Sequence, residues 1–588
     1  MNIQVLHYKL RAYGRIVKNI VFIFTMNFQS YILQNFFIIL FIGVSSIWTQ
    51  AQNSKELRKS VALKNGYLSI PIENSAPKQK IDFFVADTLF AAFNIRLAQE
   101  YVDFYTTMDV RKAQGEKMKI VTTEPSKVGL QQIKSVSKPV REKEVYTEKL
   151  RPQVHFSAQT GWLNDPNGLV YKDGEYHLFF QHNPYGWDHG NMHWGHAVST
   201  DLLRWEELDI ALTPRRYNDW AFSGSAVVDK KNTSGFGTGS KVPLVAVYTS
   251  TGRGESLAYS LDNGRTFNDY KGNPVVKHKG RDPKVFWYEP GQHWVMVVFN
   301  TDEKQLPAND ETFKNRALHI YTSPNLKDWT YQSEVPNFWE CPELFELPIE
   351  GQPEKSQWVL YGANAHYMLG AFDGKVFTPQ TPKIDSFKDG NHYASQTYNN
   401  TPDGRRIMIA WGQIQSRDMP FNQMMTFPVE LRLKETQRGI RMLPNPIREI
   451  EKLHLKPKMF TDVSIDNDKP LEIPMDTDVI HIIAEFEGSD DFTYGIEVNG
   501  YKVEFDNRNY VLDGCTIVPK SDGTLKIEII ADKTSLEIFG NDGETYSVRP
   551  NVNGKKGVKV YSQSASWDRG NHTFLKSLAI YPLKSIWK

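Results

Sequence analysis

The chain of 588 residues has only two cysteines, Cys341 and Cys515, far apart in sequence. A disulfide framework is therefore excluded, and one bridge is the most that pairing allows. Neither cysteine has a Cys or His neighbour at zinc-finger spacing, which argues against a structural metal. Excess charge of either sign is also lacking. The formal net charge is +1, with no arginine-rich tail or charge run, so neither nucleic acid nor a polybasic membrane contact is expected as a partner. Strong apolar runs of transmembrane type are missing as well. Lys9, Arg11, Arg15 and Lys18 precede a broken apolar region whose densest stretch, Phe36 to Val44, falls short of the roughly 20 apolar residues a span needs. With Thr49-Gln50-Ala51 offering a cleavage site, residues 1–51 read as an export signal, which leaves no membrane span in the mature chain. An uncleaved anchor is the alternative reading, and Met26 is an alternative start. No Cys follows the apolar run, so no lipid anchor is expected.

What the chain does have is strand-type sequence throughout. Residues 53–133 alternate polar and apolar positions in short runs such as Tyr67-Leu-Ser-Ile-Pro and Ile81-Asp-Phe-Phe-Val, the pattern of a small accessory β domain. Residues 134–150, polar and rich in Lys and Glu, read as a linker. Over residues 151–446 a faint repeat emerges. Ser199-Thr-Asp-Leu-Leu-Arg-Trp205, Ser260-Leu-Asp-Asn-Gly-Arg-Thr-Phe267 and Ser323-Pro-Asn-Leu-Lys-Asp-Trp329 share a serine, a turn rich in Asp, Asn or Gly, and an aromatic. Phe372-Asp-Gly-Lys-Val-Phe377 is a degenerate fourth copy. A period of about 60 residues over a region of roughly 295 predicts about five blades, and strands with few helical patterns between them predict a β-propeller. From residue 447 to 588, runs such as Lys526-Ile-Glu-Ile-Ile and Ser535-Leu-Glu-Ile-Phe539 predict a β-sandwich.

Three turns carry an acid beside or near proline, each where a strand should meet a loop: Trp162-Leu-Asn-Asp-Pro-Asn-Gly168, Gly280-Arg-Asp-Pro283 and Trp339-Glu-Cys-Pro-Glu-Leu-Phe345. Propeller loops converge at the mouth of the central channel, so acids distant in sequence can meet there. Glycoside hydrolysis needs such a meeting, because one carboxyl group protonates the leaving oxygen while another attacks the anomeric carbon or activates water. Singly, each segment has a plainer reading. Asn-Asp-Pro-Asn-Gly is a good turn sequence, Arg281-Asp282 suits a buried ion pair, and Glu340 or Glu343 suits a rim charge.

Taken together and in order, these segments resemble glycoside hydrolase family 32, the invertase, inulinase and levanase family, from about Pro152 to the C-terminus. The resemblance implies an all-β fold, a five-bladed propeller followed by a β-sandwich. It puts the nucleophile at Asp165 beside Asn164, the transition-state stabiliser at Asp282 beside Arg281, and the general acid/base at Glu340. Phe180-Gln181-His-Asn-Pro184, Met192-His-Trp194-Gly-His-Ala197 and Phe222-Ser223-Gly-Ser225 match sugar-pocket segments, and Trp411 matches a pocket-wall aromatic. The implied activity is retaining hydrolysis of β-fructofuranosidic bonds in levan, inulin and sucrose by double displacement, with no metal or cofactor. In that scheme Glu340 is protonated at rest, with Asp165 the anion that raises its pKa, while Arg281 and Asp282 grip the ring hydroxyls. A fructosyltransferase on the same scaffold is the main alternative, and a non-catalytic sugar-binding module the lesser one. Ser535-Leu-Glu-Ile-Phe539 resembles a motif of exo-acting members and favours release of terminal fructose, with endo action left open. Two departures bear on substrate choice. His189 stands where the family usually has a pocket tryptophan, with Trp187 nearby, and Asp385, Asp389 or Asn391 stands in for an acid often found before Tyr393-Ala-Ser.

Overall fold

β-Branched and aromatic runs broken by Gly, Asp and Asn fold into strands almost throughout, in a computed structural model that describes residues 57–123, 127–139, 146–301, 316–385, 390–465, 469–487, 492–551, 556–564 and 573–587. The expected export signal and Asp389 lie outside the described residues. The N-terminal body is two antiparallel sheets. One has four strands, in the order Leu57–Ala62, Lys117–Thr122, Gln79–Val85, Thr88–Ile95; the other has Phe104–Asp109, Tyr67–Ile72 and Lys134–Val136. Alternation in strands such as Lys117–Thr122 turns Met118 and Ile120 inward, onto a core with Leu68, Ile70, Phe83 and Phe104. The linker expected from residue 134 is corrected at its start. Lys134–Val136 pairs with Tyr67–Ser69, a contact made by backbone groups that polar composition does not reveal. The short helix Lys127–Gln132 likewise replaces part of a stretch read as strands.

The five blades follow. Their innermost strands are Gly161–Lys172, Ala221–Val228, Gly280–Tyr288, Glu343–Ile349 and His392–Thr397. Phe421–Asn422, from the last blade, pairs in parallel with Gly161–Trp162 of the first and joins the ends of the ring. Blades 4 and 5 share one sheet through the Ile349–Leu433 pairing. The sequence repeat is the turn between the third and fourth strands of blades 1 to 4. Ser199, Ser260 and Ser323 end third strands, and their hydroxyls accept the backbone N–H groups of Asp201 (3.1 Å), Gly264 (2.8 Å) and Asn325 (3.2 Å). In blade 4, Asp373 does the same work by accepting from the N–H of Val376 at 2.7 Å.

Four of the five inner strands slip register at the same end. The irregularities fall between Leu163 and Pro166, Ala221 and Gly224, Arg281 and Lys284, and Tyr393 and Gln396. A bulge bends its strand and re-aims the side chains within it, and Asp165, Ser223 and Asp282 each lie within one of these irregularities. In blade 2 the bulge needs glycine, because a Cβ on Gly224 would lie 2.1 Å from the Val247 carbonyl oxygen.

The last propeller strand ends at Pro446, and two six-stranded sheets follow, packed over Ile482, Phe486, Ile496, Ile527 and Ile529. A buried charge cluster ties them to the propeller. His155 Nδ1 lies 2.7 Å from Asp532 and Nε2 3.0 Å from Glu537, all three with fully buried side chains. Asp532 also accepts from the N–H groups of Gln153 (2.7 Å) and Val154 (2.9 Å), and Glu537 from Phe427 N–H (2.7 Å) and the Tyr546 hydroxyl (2.7 Å). Glu537 of the Ser535–Phe539 motif is thus spent on docking the two bodies, so the motif gives no physical reason for exo action. Burial alone would lower the His155 pKa, but the hydrogen bonds to Asp532 and then Glu537 outweigh it and push it up to about 9 from 6.5. A histidine with a raised folded value stabilises most below its unfolded value and loses that contribution as pH rises through the folded one. Stability should therefore decline between about pH 6.5 and 9. His155→Ala should cost about 3–5 kcal/mol in chemical denaturation at neutral pH, because it strands two buried carboxylates, and should lose this part of the pH dependence. An unchanged midpoint would contradict the clasp.

Candidate active site

At the bulged end of the inner strands the three acids of the sequence motifs come together, Asp165 and Asp282 from bulges and Glu340 from the segment just before the inner strand of blade 4. Asp165, in the blade 1 bulge, accepts the Ser223 hydroxyl at Oδ2 (2.7 Å) and the Asn164 amide at Oδ1 (3.1 Å). Ser223 comes from the blade 2 bulge. Behind it, the Asn167 amide, turned so that both its atoms find partners, donates to Ser223 Oγ (3.3 Å) and accepts from Gln181 Nε2 (2.9 Å), and Gln181 also donates to the Ala221 carbonyl (2.9 Å). Gln181 therefore lies one layer behind the pocket and orders the serine that holds Asp165.

Asp282, from blade 3, and Cys341, just before the inner strand of blade 4, both have left-handed backbones, with φ of 68° and 48°. Such conformations cost non-glycine residues on the order of 1 kcal/mol or more and persist only when neighbours enforce them. Here Asp282 N–H donates to Thr249 Oγ1 (2.9 Å) and Cys341 N–H to Asp282 Oδ2 (3.3 Å). Thr249 in turn donates to Glu255 (2.9 Å), whose other oxygen meets His278 Nε2 (2.8 Å). The Cys341 thiol sits between the acids, 3.7 Å from Asp165 Oδ2 and 3.5 Å from Asp282 Oδ2.

Glu340 completes the cluster. Arg281 donates to Glu340 Oε2 through Nε (2.7 Å) and Nη2, and the Tyr393 hydroxyl donates to Oε1 at 2.6 Å. Trp339 Nε1 donates to that hydroxyl in turn, at 2.5 Å. Arg281 Nε also lies 3.5 Å from Asp282. The guanidinium expected on ring hydroxyls is therefore engaged with Glu340. Glu343, weighed as a rim charge, is instead buried and pairs with the buried Lys284 at 2.9 Å. That separates the two glutamates of one motif: Glu340 joins the acid cluster, and Glu343 anchors blade 4 to blade 3.

Three acids and one arginine in a mostly closed space cannot all carry charge cheaply. Burial, and after it the charge of Glu340, pushes the Asp165 pKa up to about 6, against the pull of its Ser223 and Asn164 hydrogen bonds. Asp282 is pushed well above the ordinary carboxylate range by burial first, with Glu340 and Asp165 adding to it and Arg281 opposing. Burial also raises Cys341, which stays a thiol. The Glu340 charge is one of the influences that raise Asp165, and the Glu340 carboxyl is paired with Arg281. With Asp282 and Asp165 both raised, the cluster retains a proton near neutrality.

The remaining sequence candidates separate into wall and scaffold. Trp411 meets Trp162 edge-on at 5.9 Å and Tyr393 at 6.3 Å between ring centroids, and Trp162 Nε1 donates to Asn164 (3.2 Å). Phe222, next to the Ser223 that holds Asp165, meets His189 (6.3 Å) and Trp220 (6.0 Å). Trp194 is not brought to the pocket surface. It is fully buried between blades 1 and 2 and acts on the pocket only by donating to the Phe222 carbonyl (3.0 Å). Every residue of its strand is buried, so no alternation tells which face it takes. Trp187, the alternative to His189, donates its indole N–H to the Phe421 carbonyl (3.0 Å) and serves the loop. Asp385 pairs with His366 (2.8 Å) at an exposed position, and Asn391 N–H is bound by the Val548 carbonyl of the sandwich (3.0 Å). Tyr393, Trp162, Thr249 and Glu255 were not foreseen as site residues; only Trp162 and Tyr393 lie within quoted motif segments. A cavity of about 550 Å³ lined by Val227, Phe286, Trp287, Trp358 and Arg406 opens at the other end of the inner strands and holds none of the three acids.

Comparison with known proteins agrees with this architecture. The model described as the N-terminal domain of glycosyl hydrolases family 32 matches residues 155–444, and the C-terminal model of the same family matches residues 484–582. A levanase of Bacillus subtilis is 38% identical over 508 residues, covering 75% of this chain and 72% of that one. The extracellular exo-inulinase of Aspergillus ficuum is 32% identical, covering 68% and 89%. The crystal structure of an exo-inulinase from Aspergillus awamori superposes with a TM-score of 0.65 at 28% identity, covering 75% of this chain and all of that one. Among the described residues no helix is long and apolar enough to cross a membrane. The protein is a glycoside hydrolase, and the chain belongs to glycosyl hydrolases family 32.

Proposed function

We propose that the chain is an exported retaining β-fructofuranosidase that hydrolyses fructans and sucrose through a fructosyl-enzyme. The observation that carries this reading is the meeting of Asp165, Asp282 and Glu340 at one end of the channel, each held by different neighbours. Asp165, fixed by Ser223 and Asn164, attacks the anomeric carbon of the fructosyl unit. Glu340 takes up the proton that the acid cluster retains, gives it to the departing oxygen, and then takes one from the water that cleaves the intermediate. Asp282 stands beside both acids and receives hydrogen bonds from ring hydroxyls, which strengthen as positive charge builds on the sugar. Arg281 and Tyr393 hold the Glu340 carboxyl in place between its two proton transfers. The substrate class is supported by relatives named for levan, inulin and sucrose chemistry. Export is supported by the N-terminal segment and by an extracellular relative.

Incubation with levan, inulin and sucrose tests the reading. Free fructose should appear from at least one of them, and NMR of the first product should find the β-anomer. The α-anomer would remove double displacement, and inertness toward all three would remove the substrate class. The same run reads the cleavage mode, since fructose alone means exo action and an oligosaccharide ladder means endo action. Transfer to a sugar hydroxyl in place of water would appear as products longer than the substrate.

A further inference from the structure

The loop of residues 184–191 leaves blade 1 at the Trp162 end of its sheet, beside the acid cluster. It is gripped from two sides. On the propeller side, Asn183 Nδ2 donates to the Asp188 carbonyl (2.8 Å) and Asn422 Nδ2 to the Trp187 carbonyl (3.0 Å). The other grip comes from the N-terminal two-sheet body. The Asp188 carboxylate is paired with Arg96 and Lys78, each at 3.0 Å, and Lys78 also donates to the His189 carbonyl (3.1 Å). Asn191 exchanges two hydrogen bonds with the backbone of Asn94 (3.0 and 2.7 Å). Arg96 N–H donates to the Tyr185 carbonyl (3.2 Å), and the Tyr185 ring stacks on Phe93 at 4.8 Å within the core of the N-terminal body.

Between these anchors stands His189, exposed at the rim, its ring 5.8 Å from Trp220 and 6.3 Å from Phe222. Phe222 is followed by Ser223, the residue bonded to Asp165. An unbroken path of contacts therefore runs from Arg96 and Lys78 through Asp188 to the aromatic flank of the pocket. A single exposed ion pair contributes little, but here one carboxylate takes two cations while both neighbouring backbone segments are hydrogen-bonded to the same body.

We propose that the N-terminal body is a positioning element of the pocket, and that its Arg96–Lys78–Asp188 clasp sets the His189 loop and thereby the affinity for sugar. None of these residues touches the reacting atoms, so the clasp acts on binding alike in ground and transition states, which moves KM and leaves kcat. This inference rests on the pocket assignment above and adds a specificity determinant to it.

Kinetics of the full-length protein on sucrose and on a fructan test it. Asp188→Ala should raise KM about fivefold to tenfold with kcat within about twofold, the pattern for lost uniform binding. Arg96→Ala should do the same, and the double variant should be no worse than either single one, because the partners share one interaction. Arg96→Lys should restore most of the affinity. A merely structural role would lower the melting temperature and the active fraction while KM stayed put. Unchanged KM in folded Asp188→Ala and Arg96→Ala would overturn the proposal. If Asp188→Ala does not fold, Lys78→Ala decides, since Lys78 is a surface side chain: a raised KM supports the clasp and an unchanged one removes it. Failure of the pocket assignment would look different, as activity surviving in Asp165→Ala.

Discussion

Asp165→Asn should abolish turnover, with a fall on the order of ten-thousandfold or more in kcat, and should at the same time make the protein more stable above pH 6. The two effects have one cause. Asp165 is held in a site that penalises its charge, first by burial and then by Glu340, so its pKa sits at about 6 against an ordinary 3.8. A carboxyl group with a raised folded value binds its proton more tightly in the native state. Native stability then falls as pH rises from the unfolded value to the folded one, and the penalty is fully present above it. Asparagine keeps an oxygen for the Ser223 hydroxyl and carries no charge at any pH. It should gain roughly 2 to 3 kcal/mol over the native protein at pH 7 to 8 and almost nothing below pH 4. Circular dichroism melts at both pH values read this directly. The same value sets the acidic limb of kcat/KM in the free enzyme. The nucleophile must be ionised, so the rate should fall tenfold per pH unit below about 6.

The second large effect belongs to Glu340. Glu340→Gln removes both proton transfers and should cost on the order of 10²- to 10⁴-fold on sucrose. The loss should depend on the leaving group. A fructoside whose leaving group departs without a proton should still load the enzyme, giving a burst followed by slow release, and azide should speed the release because it needs no base. A loss independent of the leaving group would contradict the assignment. The variant also removes the charge that raises Asp165, so its acidic limb should move to lower pH. An unmoved limb would mean that burial alone sets that value.

The acids themselves were legible in sequence because each lies in a turn-like segment with its own composition, and the blades because their outer turns repeat a serine and an aromatic. The bulges that aim the acids leave no such trace. A register slip between Arg281 and Lys284 or between Tyr393 and Gln396 changes which face a side chain takes without changing the residues. Tyr393 therefore reaches Glu340 unannounced, one tyrosine among 27. Trp194 errs in the opposite sense, since a fully buried strand offers no in-out pattern and its tryptophan serves as a strut. Glu343 and Glu340 are three residues apart in one motif, and only the packing of Lys284 separates them, burying Glu343 in an ion pair and leaving Glu340 in the acid cluster. The strand Lys134–Val136 pairs through its backbone, where composition is silent. The departure at His189, read in sequence as a matter of substrate preference, acquires a structural owner in the N-terminal body that holds its loop.

The central claim, that Asp165 carries the fructosyl unit, is tested most directly by trapping it. Glu340→Gln loaded with an activated fructoside, quenched in acid, digested and analysed by peptide mass spectrometry should show one fructosyl adduct, on the peptide that contains Asp165. An adduct on another residue, or its absence while inverted product accumulates, would contradict the mechanism.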